Sequence, residues 1–179
     1  MWSGIMLELK SISRTAVKSA LEKALTYRLL NEPREAESIC RDVLLVEPGN
    51  QEGIVTLLLA LTDQFADGFG VHLDDARLLL PKIEGEYERA YYDGVILERW
   101  GKAQAARESP DNVSCDWLRM AMSCYDKAES IRPPGNDEAI LRWNACARMI
   151  ERAEPSETDR PSPTQPQQVD DFDDEVPVL

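Results

Sequence analysis

Two stretches of the chain use the same punctuation. Val43-Leu44-Leu45-Val46-Glu47-Pro48-Gly49-Asn50-Gln51-Glu52 returns in outline as Ala128-Glu129-Ser130-Ile131-Arg132-Pro133-Pro134-Gly135-Asn136-Asp137-Glu138. In each copy an amphipathic apolar stretch stops at proline, Gly-Asn makes the corner, and a new apolar stretch begins at Gly53-Ile54 or Ala139-Ile140. Proline cannot continue a helix, and Asn or Asp accepts hydrogen bonds from the orphan N–H groups of the next one. The pattern therefore reads helix, short turn, helix. Its recurrence predicts an all-α fold, a right-handed stack of antiparallel helical hairpins with about seven helices.

Periodicity supplies the helices. The first is expected from about Ser13 to Leu30, with Ala16, Ala20, Leu21, Ala24 and Tyr27 at helical spacing, ended by Asn31-Glu32-Pro33. Pro33 suits the first turn of a second helix reaching about Glu47. A third, from about Gln51 to Phe65, is apolar on nearly every side and is expected at the centre of the core. A short helix follows His72-Leu73-Asp74-Asp75, and Pro81 should kink or end it. Longer ones are expected over about 86–107, 114–131 and 137–151, and no convincing period-two strand is present.

Composition changes at Pro155. Residues 155–179 hold five of the eleven prolines and seven acids against the single Arg160, with no Cys, Met, Trp or Tyr. Such a segment cannot bury enough apolar area to offset its ordering entropy, so two parts are expected: a helical domain at 1–154 and a disordered, Pro-rich acidic tail at 155–179. The net charge of -13 disfavours direct nucleic-acid binding and anionic membrane surfaces, whose affinity comes from Lys and Arg. No apolar run approaches the ~20 residues that span a bilayer, and the amino terminus lacks a basic export-signal region. Cys40, Cys115, Cys124 and Cys146 form no C-x-x-C pair and read as buried thiols of a reducing cytoplasm.

Residues 17–50 match the length of a tetratricopeptide repeat. Ala24, Tyr27, Ala36 and Pro48 stand at that family's small, aromatic, small and proline positions, and Ala121, Tyr125, Ala128 and Pro133 reproduce its second-helix spacing. Gly94 and Leu97 resemble the start of the partner helix. The domain thus resembles an irregular tetratricopeptide-like α-solenoid, with Cys40 at a usual aromatic position, no clean signature from Thr62 to Gly85, and Gly94 to Ala121 stretched beyond the usual spacing. Small residues at these places let helices approach to ~8 Å. The resemblance implies a concave groove that binds a partner peptide or helix. It does not extend to the receptors for heat-shock chaperone tails, because Glu52, Val55, Thr56 and Leu59 stand where their basic and amide clamp is needed.

Candidate partner contacts are Tyr92 and Arg99 on the fifth helix, since Tyr and Arg dominate binding hot spots, and Arg142 and Arg148 on the last helix, which are placed to flank an acidic peptide. Packing of the aromatics and solvation of the arginines are the alternatives. In the tail, Asp170-Asp171-Phe172-Asp173-Asp174-Glu175-Val176-Pro177-Val178-Leu179 resembles the acidic, hydrophobic-tipped end of bacterial single-stranded-DNA-binding proteins. There Phe172, Val176, Val178 and Leu179 are the candidate contacts, in trans or folded back onto the domain, with a free acidic spacer as the other reading. His72 is the only histidine. Asp74 and Asp75 beside it read as first-turn carboxylates rather than orienters of a base.

No catalytic set, no metal-ligand set and no phosphate-cradling glycine loop stands out, so no cofactor is expected. The expected function is a non-catalytic adapter or scaffold that binds a protein partner in the cytoplasm, with homo-oligomerisation open. The alternative is a small acidic cytosolic chaperone for a secreted or assembling client.

Overall fold

The computed structural model describes residues 8–67, 70–107 and 113–153. It is helical, with no strand among the described residues. In order the helices are α1 (Val17–Leu29), α2 (Pro33–Val46), α3 (Gln51–Asp63), α4 (Leu73–Arg77), α5 (Glu86–Arg107), α6 (Val113–Ser130) and α7 (Glu138–Ala153), with 3-10 turns at Arg14–Ala16, Phe65–Asp67 and Leu80–Lys82. The tail from 155 onward, with Phe172, Val176, Val178 and Leu179, lies outside the described residues.

The punctuation works as the local chemistry predicts. Asn31 takes a positive φ of 59° after α1, and the N–H groups of Asn31 and Glu32 donate to the carbonyls of Arg28 and Tyr27 at 3.1 and 2.9 Å. That double bond is the Schellman stop, here made by Asn rather than Gly. Pro33 then opens α2 without wasting a donor. At the two Gly-Asn corners, Asn50 Oδ1 accepts from the Gly53 N–H at 2.8 Å and Asn136 Oδ1 accepts from the Glu138 N–H at 3.0 Å. The corners differ in one respect: Gly135 adopts the left-handed region at φ 81°, while Gly49 does not. Pro81 lies in the 3-10 turn Leu80–Lys82, and α4 has already stopped at Arg77.

Successive helices pack on one another: α1 on α2, α2 on α3, α5 on α6 and α6 on α7, while α3 also touches α1, α4 and α5. As its all-round apolar sequence anticipates, α3 buries Ile54, Leu57, Leu58, Ala60 and Leu61 among these neighbours. Two apolar clusters result. One gathers α1 to α4 around Ile54, Leu58 and Phe65 and receives Ile96 and Ala103 from α5. The other joins α5, α6 and α7 through Leu97, Leu118, Ala121, Tyr125 and Cys146. Because α5 faces both, Val95, Ile96, Leu97 and Glu98 are all buried in sequence.

The crossing of α5 and α6 depends on Gly94. A Cβ built on it lies 2.5 Å from Cε1 and 2.8 Å from Cδ1 of Tyr125, a ring that is fully buried. The four cysteines are free thiols; Cys40, Cys115 and Cys146 are buried and Cys124 is partly so. Gly94→Ala is expected to lower stability by about 1–3 kcal/mol through overpacking, despite alanine's helix-propensity advantage of ~1 kcal/mol. Urea denaturation measures the difference, and an unchanged midpoint would mean that Tyr125 can move aside at no cost.

Candidate functional site

Charged side chains on the odd-numbered helices form a row across the fold. At the end of α1, Arg28 Nε donates to Asp63 Oδ2 of α3 at 2.7 Å. Arg99 of α5 takes the other oxygen of the same carboxylate and also donates to Thr62 Oγ1 at 2.7 Å and to the Leu59 carbonyl at 3.3 Å. Both carboxylate oxygens of Asp63 are therefore occupied, and α1, α3 and α5 are tied side by side. Beside Arg99, Lys102 sits one turn along from Glu98 and donates to its Oε1.

Glu98 is the centre of the second half of the row. Its side chain is 2% exposed, yet it carries charge, because Tyr125 Oη of α6 donates to Oε2 at 2.6 Å and Arg142 Nη1 of α7 lies 3.2 and 3.3 Å from the two oxygens. Burial works against the anion, but hydrogen bonds from Lys102 and Tyr125 and the charges of Arg142 and Lys102 outweigh it and hold the carboxyl below its ordinary value. Burial also pushes the Tyr125 hydroxyl up, reinforced by Glu98, so it remains a donor. Arg142 further donates from Nε to Tyr91 Oη at 3.3 Å. Burial opposes the Arg142 charge, and Glu98 more than restores it.

Four cations, Arg28, Arg99, Lys102 and Arg142, thus share two carboxylates, Asp63 and Glu98. The row carries a local excess of positive charge on a chain whose net charge is -13. Next to it opens a cleft of about 240 Å³ lined by Asp63, Arg99 and Lys102 and by the small or apolar Ala66, Ala103 and Phe65. Arg107 donates to the carbonyl of Phe65, one of the lining residues. Lys102 is 43% exposed, Arg142 32% and Arg99 24%, so each retains a face toward solvent.

Of the residues expected to touch a partner, Arg99 and Arg142 belong to this row. Tyr92 instead occupies the seam between the two apolar clusters, with Tyr91 edge-on at a centroid distance of 5.2 Å. Burial raises its hydroxyl's pKa. Arg148 is exposed on α7. Six positions from Arg142, it points roughly 120° away around the helix. Arg28, Lys102 and Glu98 were not anticipated. For Glu98 a signal existed: Tyr87, Tyr91, Gly94 and Glu98 recur at helical spacing, which places a carboxylate on the packed stripe.

Other polar groups pair close by, whereas the buried indole N–H of Trp143 has no hydrogen-bond partner among the described residues. His72 is exposed, its backbone N–H donates to Asp75 Oδ2 at 2.8 Å, and its ring lies 6.3 Å from Trp100. Cys124 Sγ lies 3.7 Å from Asp93, which pairs with Arg77; burial, then Asp93, pushes that thiol up to about 11. No group of three or more His, Cys, Asp or Glu among the described residues is arranged to hold a metal ion, and no described helix is long and apolar enough to cross a membrane. No protein-family model matches the chain, and neither a curated protein nor a solved structure shows significant similarity to it.

Glu98→Gln removes the anion that three donors share. Because Arg142 and Lys102 keep some solvent access, the expected loss is at the low end for a broken buried pair, about 2–3 kcal/mol. The lowered carboxyl means that the Glu98 contribution is complete above the unfolded value of about 4.3 and disappears as pH falls through the lower folded value. Thermal melts of both proteins from neutral to acid pH check this. The gap between wild type and Glu98→Gln should close in acid, and a gap constant with pH would contradict it.

Proposed function

We propose that the chain is a tetratricopeptide-like, non-catalytic binding module, and that the row on its odd-numbered helices receives an acidic segment of a partner protein. In such a module α1, α3, α5 and α7 are the inner helices of successive pairs. The small residues expected at helix crossings, Ala24, Ala36, Ala121 and Ala128, are all fully buried, which supports the pairing. α7 then acts as a terminal cap over α5 and α6.

The observation that carries the reading is the surplus of cations along that row. In a protein this acidic, four guanidinium and ammonium groups around two carboxylates are not needed to balance charge, and each cation keeps part of its surface in water. Arg and Lys in this setting favour carboxylates, with Arg offering two parallel donors. The adjoining cleft, walled by Phe65 and small alanines, accommodates one apolar side chain of the same peptide. Complementary charge steers such an encounter and weakens with salt.

Fluorescence anisotropy of labelled peptides rich in Glu and Leu, against counterparts with Lys in place of Glu, tests this on the full chain. The acidic series is expected to bind, and Arg99→Gln combined with Lys102→Gln to weaken it about tenfold, or ~1.4 kcal/mol. Circular dichroism confirms that the double variant is folded. Equal affinity for both peptide series, or no effect of the substitutions, would overturn the assignment.

A further inference from the structure

A second cleft lies on the opposite, even-numbered side and has a different character. Helix α4 packs on α3 and α5 and has five residues against fourteen in α2, about 7.5 Å of length against about 21 Å. A helix of that length cannot cover α2. Leu44 and Leu45 of α2, Leu57 of α3 and Leu79 beyond α4 are left lining a groove of about 400 Å³, rimmed by Arg41 and Lys82. The groove continues past Leu61 and Leu78 toward Asp75. Leu45 in the groove and Leu78 in its continuation are 66% and 71% exposed.

Leu9 is itself one of the residues lining this groove and is 76% exposed. The chain leads into Leu9 from Met1-Trp2-Ser3-Gly4-Ile5-Met6-Leu7-Glu8, whose first seven residues contain no charged side chain. From Ile5 onward the order is apolar at 5, 7 and 9 and charged at 8 and 10. In an extended chain positions 5, 7 and 9 share one face, and Leu9 already defines which face meets the groove. Seven extended residues reach about 23–25 Å, enough to run the length of α2.

We propose that residues 1–7 lie along this groove in cis, with Ile5 and Leu7 inserted among Leu44, Leu45, Leu57 and Leu79. The segment supplies the apolar cover that a longer α4 would have supplied, and the row on the odd-numbered helices is left untouched. The acidic tail fits less well. Arg41 is already paired with Glu37 at 2.7 Å, which leaves Lys82 as the one rim cation without a carboxylate partner among the described residues, beside Asp75. Five carboxylates between Asp170 and Glu175 would crowd a single ammonium.

The test uses the full chain with a photoreactive benzophenone amino acid incorporated in place of Ile5, and hydrogen exchange on wild type and on the double variant Ile5→Asp with Leu7→Asp. The expected result is crosslinking to peptides containing Leu45, Leu57 or Leu79 in the monomer band. Loss of exchange protection in the double variant should be confined to α2 and to residues 78–82, with α6 and α7 unchanged. Crosslinks found only in a dimer band would assign the groove to a second copy and overturn the cis arrangement. Unchanged protection in Ile5→Asp/Leu7→Asp, with loss instead on Val176→Ser/Val178→Ser/Leu179→Ser, would assign it to the tail, and no groove crosslink at all would overturn the proposal outright.

Discussion

Tyr125 carries two constraints at once. Its ring fills the space that Gly94 leaves by having no side chain, and its hydroxyl donates to Glu98 one turn further along the same helix. The close approach of α5 and α6 and the burial of an anion are therefore one arrangement. If α6 drew back, Glu98 would lose a hydrogen bond in a place where water cannot replace it. If the anion were lost, Arg142 and Lys102 would be left facing each other across the α5–α7 seam. Because α5 also supplies Ile96, Ala103 and Arg99 to the first cluster, this arrangement reaches α1 and α3 as well.

Electrostatics divides the molecule in an instructive way. The chain is acidic overall, yet two of its carboxylates, Glu98 at 2% exposed and Asp63 at 23%, each hold cations between helices. A surface ion pair contributes little to stability, and a buried one is weighed against desolvation. What Asp63 and Glu98 achieve is register. Each accepts from side chains on other helices, so sliding one helix along its neighbour breaks several charge-assisted bonds together. The same arrangement leaves the unshared faces of Arg99, Lys102 and Arg142 toward solvent, which makes the scaffold's own cross-ties the source of its positive strip.

Helix ends were legible because their causes are local. Asn31, Pro33, Asn50 and Asn136 act on backbone groups within a few residues of themselves, and a window of sequence contains the whole interaction. The burial of α3 was legible from its composition along the helix. Reading Arg142 as a surface cation failed to anticipate its pairing with Glu98, since that pair depends on the register of α7 against α5, separated by 44 positions. Arg28 and Asp63 are joined across 35 positions in the same manner. No local pattern encodes such distances, although a charge on a packed stripe does announce that some partner must exist.

The short α4 explains why the middle of the chain gave no clean repeat signature. His72 and Asp75 start a helix competently, but it stops at Arg77 after about a turn and a half, ahead of the 3-10 turn that holds Pro81, and the apolar residues Leu78 and Leu79 fall beyond its end. A short helix shields less of its neighbours, and Leu78 just beyond it is 71% exposed. Polar cross-ties join α1, α3, α5 and α7, whereas the groove by Leu45 and Leu79 is lined mainly by leucines. If both proposals hold, the row on the odd-numbered helices takes carboxylates and the leucine groove takes uncharged aliphatic chain.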